Sequence, residues 1–158
     1  MVVKMNEYQQ NRFVSKVIRE MFHTVADKKI AIFGFAFKAN TGDTRESPAI
    51  QVAKKLLEEQ AVISITDPRA LENARIDLRE HENVIFESDP YAAARGADAL
   101  AILTEWDLFR ELDYREIYQS MKKPAFIFDG RNILDHRELH EMGFNVYPLG
   151  QPALTHFT

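Results

Sequence analysis

Apolar residues recur every three or four positions between residues 14 and 25, which is the spacing of a helix with one buried face. They are Val14, Val17, Ile18, Met21, Phe22 and Val25. Charged side chains occupy the other faces of this segment. The pattern predicts a helix that either enters from an upstream element or docks as an ordinary N-terminal helix.

After residue 28 the pattern changes to short apolar runs separated by helical segments. The runs are "KIAIFGFAF" (29–37), "AVISITDP" (61–68), "NVIFES" (83–88), "DALAILTEW" (98–106), "AFIFDGR" (125–131) and "FNVYPLG" (144–150). Strands that are apolar on both faces and joined by helical crossovers are typical of a parallel sheet. We therefore predict an α/β fold: a doubly wound, mostly parallel, Rossmann-like sheet of about six strands with flanking helices.

Helix boundaries are marked by capping residues. Ser47 and Pro48 are suited to the N-cap and first position of a helix whose inward residues include Ile50 and Leu56. A brief helix is expected in "DPYAAARGA", and two short helices are expected around Leu108 and Ile117. A further helix is expected from about 136 to 142, ending at Gly143.

Composition excludes several classes of function. The net charge of −4 argues against a nucleic-acid partner, because binding phosphates requires a basic face. No apolar run approaches the roughly 18–20 residues of a membrane span, so no membrane partner is expected. The sequence contains no cysteine, which is compatible with the cytoplasm, the predicted location. It also means that the chain has no thiolate nucleophile of its own.

The first polar cluster lies between the first strand and the helix at Pro48. Gly34 allows close approach of the backbone, and Lys38 lies where the chain leaves the sheet. The following helix N-terminus adds a partial positive charge and free N–H groups, so the loop is suited to an anion such as phosphate. It matches neither the P-loop nor G-x-G-x-x-G. A purely structural alternative makes Asp43 and Arg45 a surface ion pair.

Two more clusters follow later strands. "FDGRN" places Arg131 just after the fifth strand, where it either binds phosphate or ribose hydroxyls or is simply solvated. "LTEWD" contains two carboxylates, which suggest acid–base work, but helix capping by Thr104 or Asp107 with Trp106 packed as a lid is the favoured interpretation.

Other candidate residues are weaker. Asp67 ends the second strand, where dinucleotide folds place a ribose-binding acid, but the glycine motif is missing. His136 and His140 are four residues apart, although "HRELH" has Arg where a zinc protease needs Glu, so a solvated helix face is favoured. The remaining histidines, His23, His81 and His156, form no cluster in sequence.

Several of these motifs together resemble a known family. "FGFAFKANTGDTRESPA", "ILTEWDLF" and "FDGRN" are similar to the C-terminal domain of the UDP-glucose 6-dehydrogenases, within the wider UDP- and GDP-sugar dehydrogenase family. The pattern K-x-[DN]-T-x-D-x-R is complete, from Lys38 to Arg45. The resemblance covers about residues 5 to 150.

The resemblance implies roles for individual residues. Phe37, Lys38 and Arg131 would contact the ribose and diphosphate of UDP-glucose, and Arg45 would reach across a cleft to NAD on another domain. It also implies three parts: residues 1–27 as the end of a central linking helix, 28–150 as the UDP-binding domain, and 151–158 as a tail.

The resemblance further implies a larger enzyme that oxidises UDP-glucose to UDP-glucuronate in two hydride transfers. NAD would be bound mainly by an N-terminal domain, the catalytic cysteine would lie outside this chain, and the piece alone would be inactive. The partners would be those N-terminal and central domains, in a homo-oligomer. Alternatives are the same domain of a UDP-N-acetylmannosamine or GDP-mannose dehydrogenase, or a non-catalytic α/β regulatory module.

Overall fold

The computed structural model describes residues 7–36, 44 and 47–157, in which helices and strands alternate. The helices are α1 (Glu7–Glu20), α2 (Pro48–Glu58), α3 (Leu71–Asp77), α4 (Pro90–Ala94), α5 (Asp107–Arg110), α6 (Tyr114–Ser120) and α7 (His136–Met142). The strands are β1 (Lys29–Phe33), β2 (Val62–Thr66), β3 (Val84–Phe86), β4 (Ala99–Ile102), β5 (Phe126–Asp129) and β6 (Asn145–Pro148).

These strands form one parallel sheet in the order β3-β2-β1-β4-β5-β6. This is the strand order of the doubly wound dinucleotide-binding fold, with the direction of winding reversing between β1 and β4. The predicted fold class and strand number are therefore confirmed. The reversal opens a crevice beside the carboxyl ends of β1 and β4, and ligands of such sheets bind there.

The sheet is buried between helices, as its apolar strands require. Residues of β4 and β5 are fully or almost fully covered, and so are those of β1 after Lys29. α1 contacts α2, whereas α6 contacts α4 and α7. At the β3 edge, by contrast, the strand is only partly covered.

Two helical features differ from the sequence predictions. α1 ends at Glu20, and Phe22 adopts a left-handed φ of 65°, which turns its side chain outward to 57% exposure. The expectation that Phe22 faces the core is therefore wrong, although Val14, Val17, Met21 and Val25 are buried. The sequence predictions also lacked α3, a seven-residue helix in which Ala74 is the buried residue.

β1 ends at Phe33, four residues before the end of the apolar run that predicts it. Gly34 follows with φ of 101°, a conformation that favours glycine. A Cβ atom on Gly34 would lie 2.4 Å from the Cβ of Thr104, so the glycine is needed for close contact between the loops after β1 and β4. Two predicted helix ends are correct: Ser47, the N-cap of α2, accepts a hydrogen bond from the Ala49 N–H, and α7 ends at Met142 with Gly143 as its C-cap.

The C-terminal tail packs back on the sheet. Leu154 and Val146 exchange two backbone hydrogen bonds, and Phe157 contacts the rings of Phe22 and Phe126. None of the helices in the described part of the chain combines the length and apolar character needed to cross a bilayer.

Candidate functional site

The predicted site residues follow strands whose carboxyl ends lie side by side. Phe33 of β1 is in register with Ile102 of β4, which is in register with Asp129 of β5. The loops after these three strands therefore leave the same edge of the sheet. Of the predicted residues, Phe37, Lys38 and Arg45 lie outside the described residues, so their roles stay predictions. Arg131 lies at this edge, two residues after β5.

The turn that carries Arg131 is organised by a buried carboxylate. Asp129 is fully buried and accepts hydrogen bonds from the backbone N–H groups of Arg131, at 3.1 Å, and Leu134, at 3.0 Å. Its Oδ2 is also 2.8 Å from Nε2 of His136, so the expectation of a solvated His136 is wrong. Gly130 passes close to β4, since a Cβ atom on Gly130 would lie 3.0 Å from the carbonyl oxygen of Ile102. These contacts hold the backbone of the turn against β4.

The guanidinium group of Arg131 pairs with Glu105, which follows β4. Nη2 of Arg131 is 3.1 Å from Oε1 of Glu105, and the side chains are 18% and 39% exposed. The alternative of a freely solvated Arg131 is therefore wrong. A guanidinium carries five N–H donors, and one ion pair leaves others available for a ligand. Glu105 is the residue at this edge that sequence reasoning did not connect with Arg131.

Asp67, at the end of β2, accepts hydrogen bonds from five N–H groups. Its Oδ2 accepts from the backbone of Phe35 and Ala36 and from the indole of Trp106, at 2.8, 3.1 and 3.1 Å. Its Oδ1 accepts from the backbone of Arg69 and Ala70, both at 2.8 Å. A carboxylate offers about four lone-pair positions, and Asp67 is 3% exposed. Its acceptor capacity is thus used within the protein, and it is not available to bind a ribose as in a dinucleotide site.

The backbone carbonyls of Phe35 and Ala36 are also bonded to side chains. The hydroxyl of Ser47 donates to Phe35, at 2.8 Å, and the hydroxyl of Thr104 donates to Ala36, at 3.0 Å. Thr104 therefore does not cap a helix. Side chains therefore bond every backbone N–H and carbonyl of Phe35 and Ala36, the two residues before Phe37.

The start of α5 also differs from the prediction. α5 begins at Asp107, so Asp107 is inside the helix, and the N-cap position is Trp106, which makes no side-chain cap bond. Capping by Thr104 or Asp107 is therefore wrong. Trp106 is 7% exposed, which agrees with a packed indole.

The N-terminus of α2 has fewer available donors than the sequence suggested. Pro48 has no N–H, the Ala49 N–H is bonded to the hydroxyl of Ser47, and the Ile50 N–H is 3.3 Å from the Ser47 carbonyl. The expectation of free N–H groups there is wrong. This helix end can still attract an anion through its partial positive charge.

A cavity of about 570 Å³ lies between α1 and the ends of β5 and β6. Its polar lining includes Arg12, Lys16 and Arg19 from α1, with Asp129 and Tyr147 from the sheet. Burial, and then the charge and hydrogen bond of Glu20, raise the pKa of Tyr147 to about 12. A smaller cavity of about 110 Å³ borders Tyr114, whose pKa is raised by burial and by the charge of Asp129. Neither cavity is lined by Arg131.

The histidines are arranged differently from the prediction. His156 stacks on His140, with ring centroids 4.1 Å apart, a contact that spacing in the sequence does not indicate. Within the described residues, no group of three His, Cys, Asp or Glu side chains is arranged to hold a metal ion.

Comparison with known proteins identifies the domain. Residues 31–136 match the model of the UDP-glucose/GDP-mannose dehydrogenase family, UDP binding domain. The chain is 52% identical over 161 aligned residues to the UDP-glucose 6-dehydrogenase of Drosophila melanogaster, with 95% of this chain and 34% of that protein covered. It thus spans about a third of the length of the curated relatives it matches.

Solved structures agree on the fold. A UDP-glucose dehydrogenase from Pyrobaculum islandicum is 29% identical with a TM-score of 0.69, and the match covers 88% of this chain and 30% of the other. A UDP-D-ManNAc dehydrogenase from Pyrococcus horikoshii shares the fold with a TM-score of 0.73 at 24% identity, covering 92% and 32%. The family match spans β1 to the start of α7 and includes the turn that carries Arg131. The chain therefore belongs to the UDP-glucose/GDP-mannose dehydrogenase family and contains its UDP-binding domain.

Proposed function

We propose that this chain is the C-terminal, UDP-binding part of an NAD-dependent UDP-glucose 6-dehydrogenase. In this proposal residues 28–150 bind the UDP part of UDP-glucose, residues 1–27 end a central linking helix, and residues 151–158 are a tail. The observation that carries the proposal is the position of Arg131 at the crevice edge of a sheet that matches the UDP-binding family model.

The proposed contacts are mainly electrostatic. Arg131 and Lys38 supply cations, Phe37 contacts the nucleotide, and the start of α2 adds its partial positive charge. Charge-assisted hydrogen bonds contribute about 1.5–3 kcal/mol each, so two or three give roughly 4–8 kcal/mol. Association costs at least about 4 kcal/mol, and a millimolar site corresponds to about −4 kcal/mol. We therefore expect the chain alone to bind UDP in the millimolar range or more weakly.

The remaining chemistry belongs to other parts of the proposed enzyme. NAD supplies the hydride acceptor for the two oxidation steps. The described residues do not fit NAD on this sheet, because the acceptor capacity of Asp67 is used by five N–H groups and Thr104 fills the space beside Gly34. In our proposal NAD is bound mainly by an N-terminal domain, and Arg45 reaches it across the cleft. The nucleophilic cysteine also lies outside these residues, since the chain has none.

The proposal is tested by following backbone amide resonances of the chain while UDP is added. We expect saturable shifts at Gly130 and Arg131, and we expect Arg131→Ala to weaken binding at least threefold. Arg79→Ala is the matched control, because Arg79 is exposed and lies between α3 and the amino end of β3. Equal effects of the two substitutions, or no shift near Arg131, would contradict the proposal.

The sugar is a separate question, because most of its contacts would come from other domains. Assaying the longer enzyme with NAD and with UDP-glucose, UDP-N-acetylmannosamine or GDP-mannose decides between the three. We expect UDP-glucose to give the highest kcat/KM. Preference for either of the other two nucleotide sugars would change the proposed substrate. Nucleotide binding by this domain would then be decided by the amide titration alone.

A further inference from the structure

Three successive side chains after β4 each contact a different loop at the carboxyl ends of the strands. Thr104 donates to the carbonyl of Ala36 at 3.0 Å, Glu105 pairs with Arg131 at 3.1 Å, and the Trp106 indole donates to Asp67 at 3.1 Å. We name these three residues the β4 loop. The segment that leads into Phe37 and the turn that carries Arg131 are thus joined through one short piece of chain.

We propose that the β4 loop holds two parts of the UDP site in place, the backbone of Phe35 and Ala36 on one side and Arg131 on the other. Its residues, with Asp67, are positioning residues. None of them needs to touch the nucleotide. The inference rests on the proposed function, because its effect is on UDP binding. It assigns a role to Asp67 and to the β4 loop, which are not among the proposed UDP contacts.

The hydrogen bonds support this because they are concentrated on the last residues before Phe37. Both backbone groups of Phe35 and of Ala36 are bonded to side chains, two of them through Asp67. The direction in which the chain leaves Ala36 is therefore set by tertiary contacts. Groups that are held in place before a ligand arrives lose less conformational entropy when the ligand binds.

The sheet itself does not require these bonds. The parallel ladder between β1 and β2 already extends to the bond from the Gly34 N–H to the Thr66 carbonyl, at 2.8 Å. Beyond it, Asp67 buries a carboxylate, which is unfavourable unless the charge is well hydrogen-bonded. Three of its five hydrogen bonds go to the loops after β1 and β4, beyond the last bond of the ladder.

The test uses substitutions that remove one buried hydrogen bond. Thr104→Val keeps the size of the side chain, whereas Trp106→Phe also makes it smaller. Thr104→Val loses the hydroxyl bonded to Ala36, and Trp106→Phe loses the indole N–H bonded to Asp67. Ser64→Ala is the matched control, since the hydroxyl of Ser64 is fully buried in β2 and donates to Ala93 at 2.7 Å. Each of the three removes one buried side-chain hydrogen bond from the same sheet.

In the 158-residue chain we expect the Kd for UDP to rise about threefold to tenfold in Thr104→Val and Trp106→Phe, and to stay within twofold in Ser64→Ala. Thr104→Ser, which keeps the hydroxyl, should restore the affinity. The amides of Phe35 and Ala36 should exchange hydrogen faster in Trp106→Phe than in Ser64→Ala. If the loss of UDP affinity in all variants, including Ser64→Ala, is proportional to the loss of Tm, the effect is only structural and the inference is wrong.

Failure of the proposed function gives a different result. In that case the unaltered chain shows no UDP-dependent shift at Arg131, and the predicted changes in the Kd for UDP are wrong as well. Hydrogen exchange at Phe35 and Ala36 then decides the claim about positioning by itself. Unchanged exchange in Trp106→Phe, with the fold intact, would overturn that claim as well.

Discussion

The imidazole rings of His140 and His156 stack with their centroids 4.1 Å apart and their planes 11° from parallel. Nε2 of His140 is 3.0 Å from the carbonyl oxygen of Thr155, and Nε2 of His156 is 2.8 Å from that of His140. Because a carbonyl oxygen only accepts hydrogen bonds, each ring carries a proton on Nε2. The pair fastens the C-terminal tail to α7.

We expect His156→Ala to loosen the tail. The substitution removes a hydrogen bond worth about 1 kcal/mol together with the ring contact. Hydrogen exchange should become faster at the amides of Val146 and Leu154, which bond the tail to β6. His81→Ala, at the start of the segment before β3, is the control, and equal acceleration in the control would contradict the role of the stacked pair.

We expect Gly34→Ala to destabilise the protein far more than Gly96→Ala. Both glycines have positive φ, so both substitutions introduce backbone strain of about 1–2 kcal/mol. At Gly34 the new Cβ would also meet Thr104 at 2.4 Å, whereas nothing lies within 4 Å at Gly96. Overpacking adds roughly 1–3 kcal/mol at Gly34. Urea unfolding measures the difference, and equal losses would show that the contact with Thr104 is unimportant.

Stability is expected to fall as the pH rises above 10. Burial raises the pKa of Tyr147 to about 12, from an ordinary value of 10, and raises that of Tyr114 as well. Between these limits the unfolded chain loses tyrosine protons that the folded chain keeps, so the unfolded state is favoured. Burial lowers the pKa of Lys29 and Lys123, so the folded chain loses these protons before the unfolded chain does. This increases stability with rising pH, but the increase ends near pH 10.5.

The measurement is urea unfolding at several pH values between 10.5 and 12, with tyrosinate absorbance followed in parallel. We expect Tyr147→Phe to reduce the loss of stability across this range. A variant that loses stability as steeply as the unaltered chain would rule out Tyr147 as a source of the effect.

The single tryptophan should report UDP binding directly. Trp106 is 7% exposed, donates to Asp67 and adjoins Glu105, the partner of Arg131. A diphosphate placed near Arg131 changes the electric field at the indole. We expect a saturable change in emission when Trp106 is excited at the red edge of its absorption, where UDP does not absorb. Arg131→Ala should weaken the response, and saturable amide shifts without any change in emission would contradict this expectation.

Much of the fold could be predicted because its signals are local. The strands, the cap at Ser47 and the stop at Gly143 are visible in short stretches of sequence, since burial on both faces and capping act between near neighbours. Phe22 was misplaced because periodicity continues past Glu20, where the helix ends. The helix α3 was missed because it is short and has little apolar periodicity.

The sequence by itself determined the fold class, the family resemblance and the presence of Arg131 after a strand. Only the tertiary structure decided what the polar residues at the strand ends do. Thr104 bonds Ala36 across 68 residues, and Trp106 bonds Asp67 across 39. Such pairs depend on strand order and register, which bring distant loops to one edge of the sheet, and no local pattern of residues encodes which loops will meet.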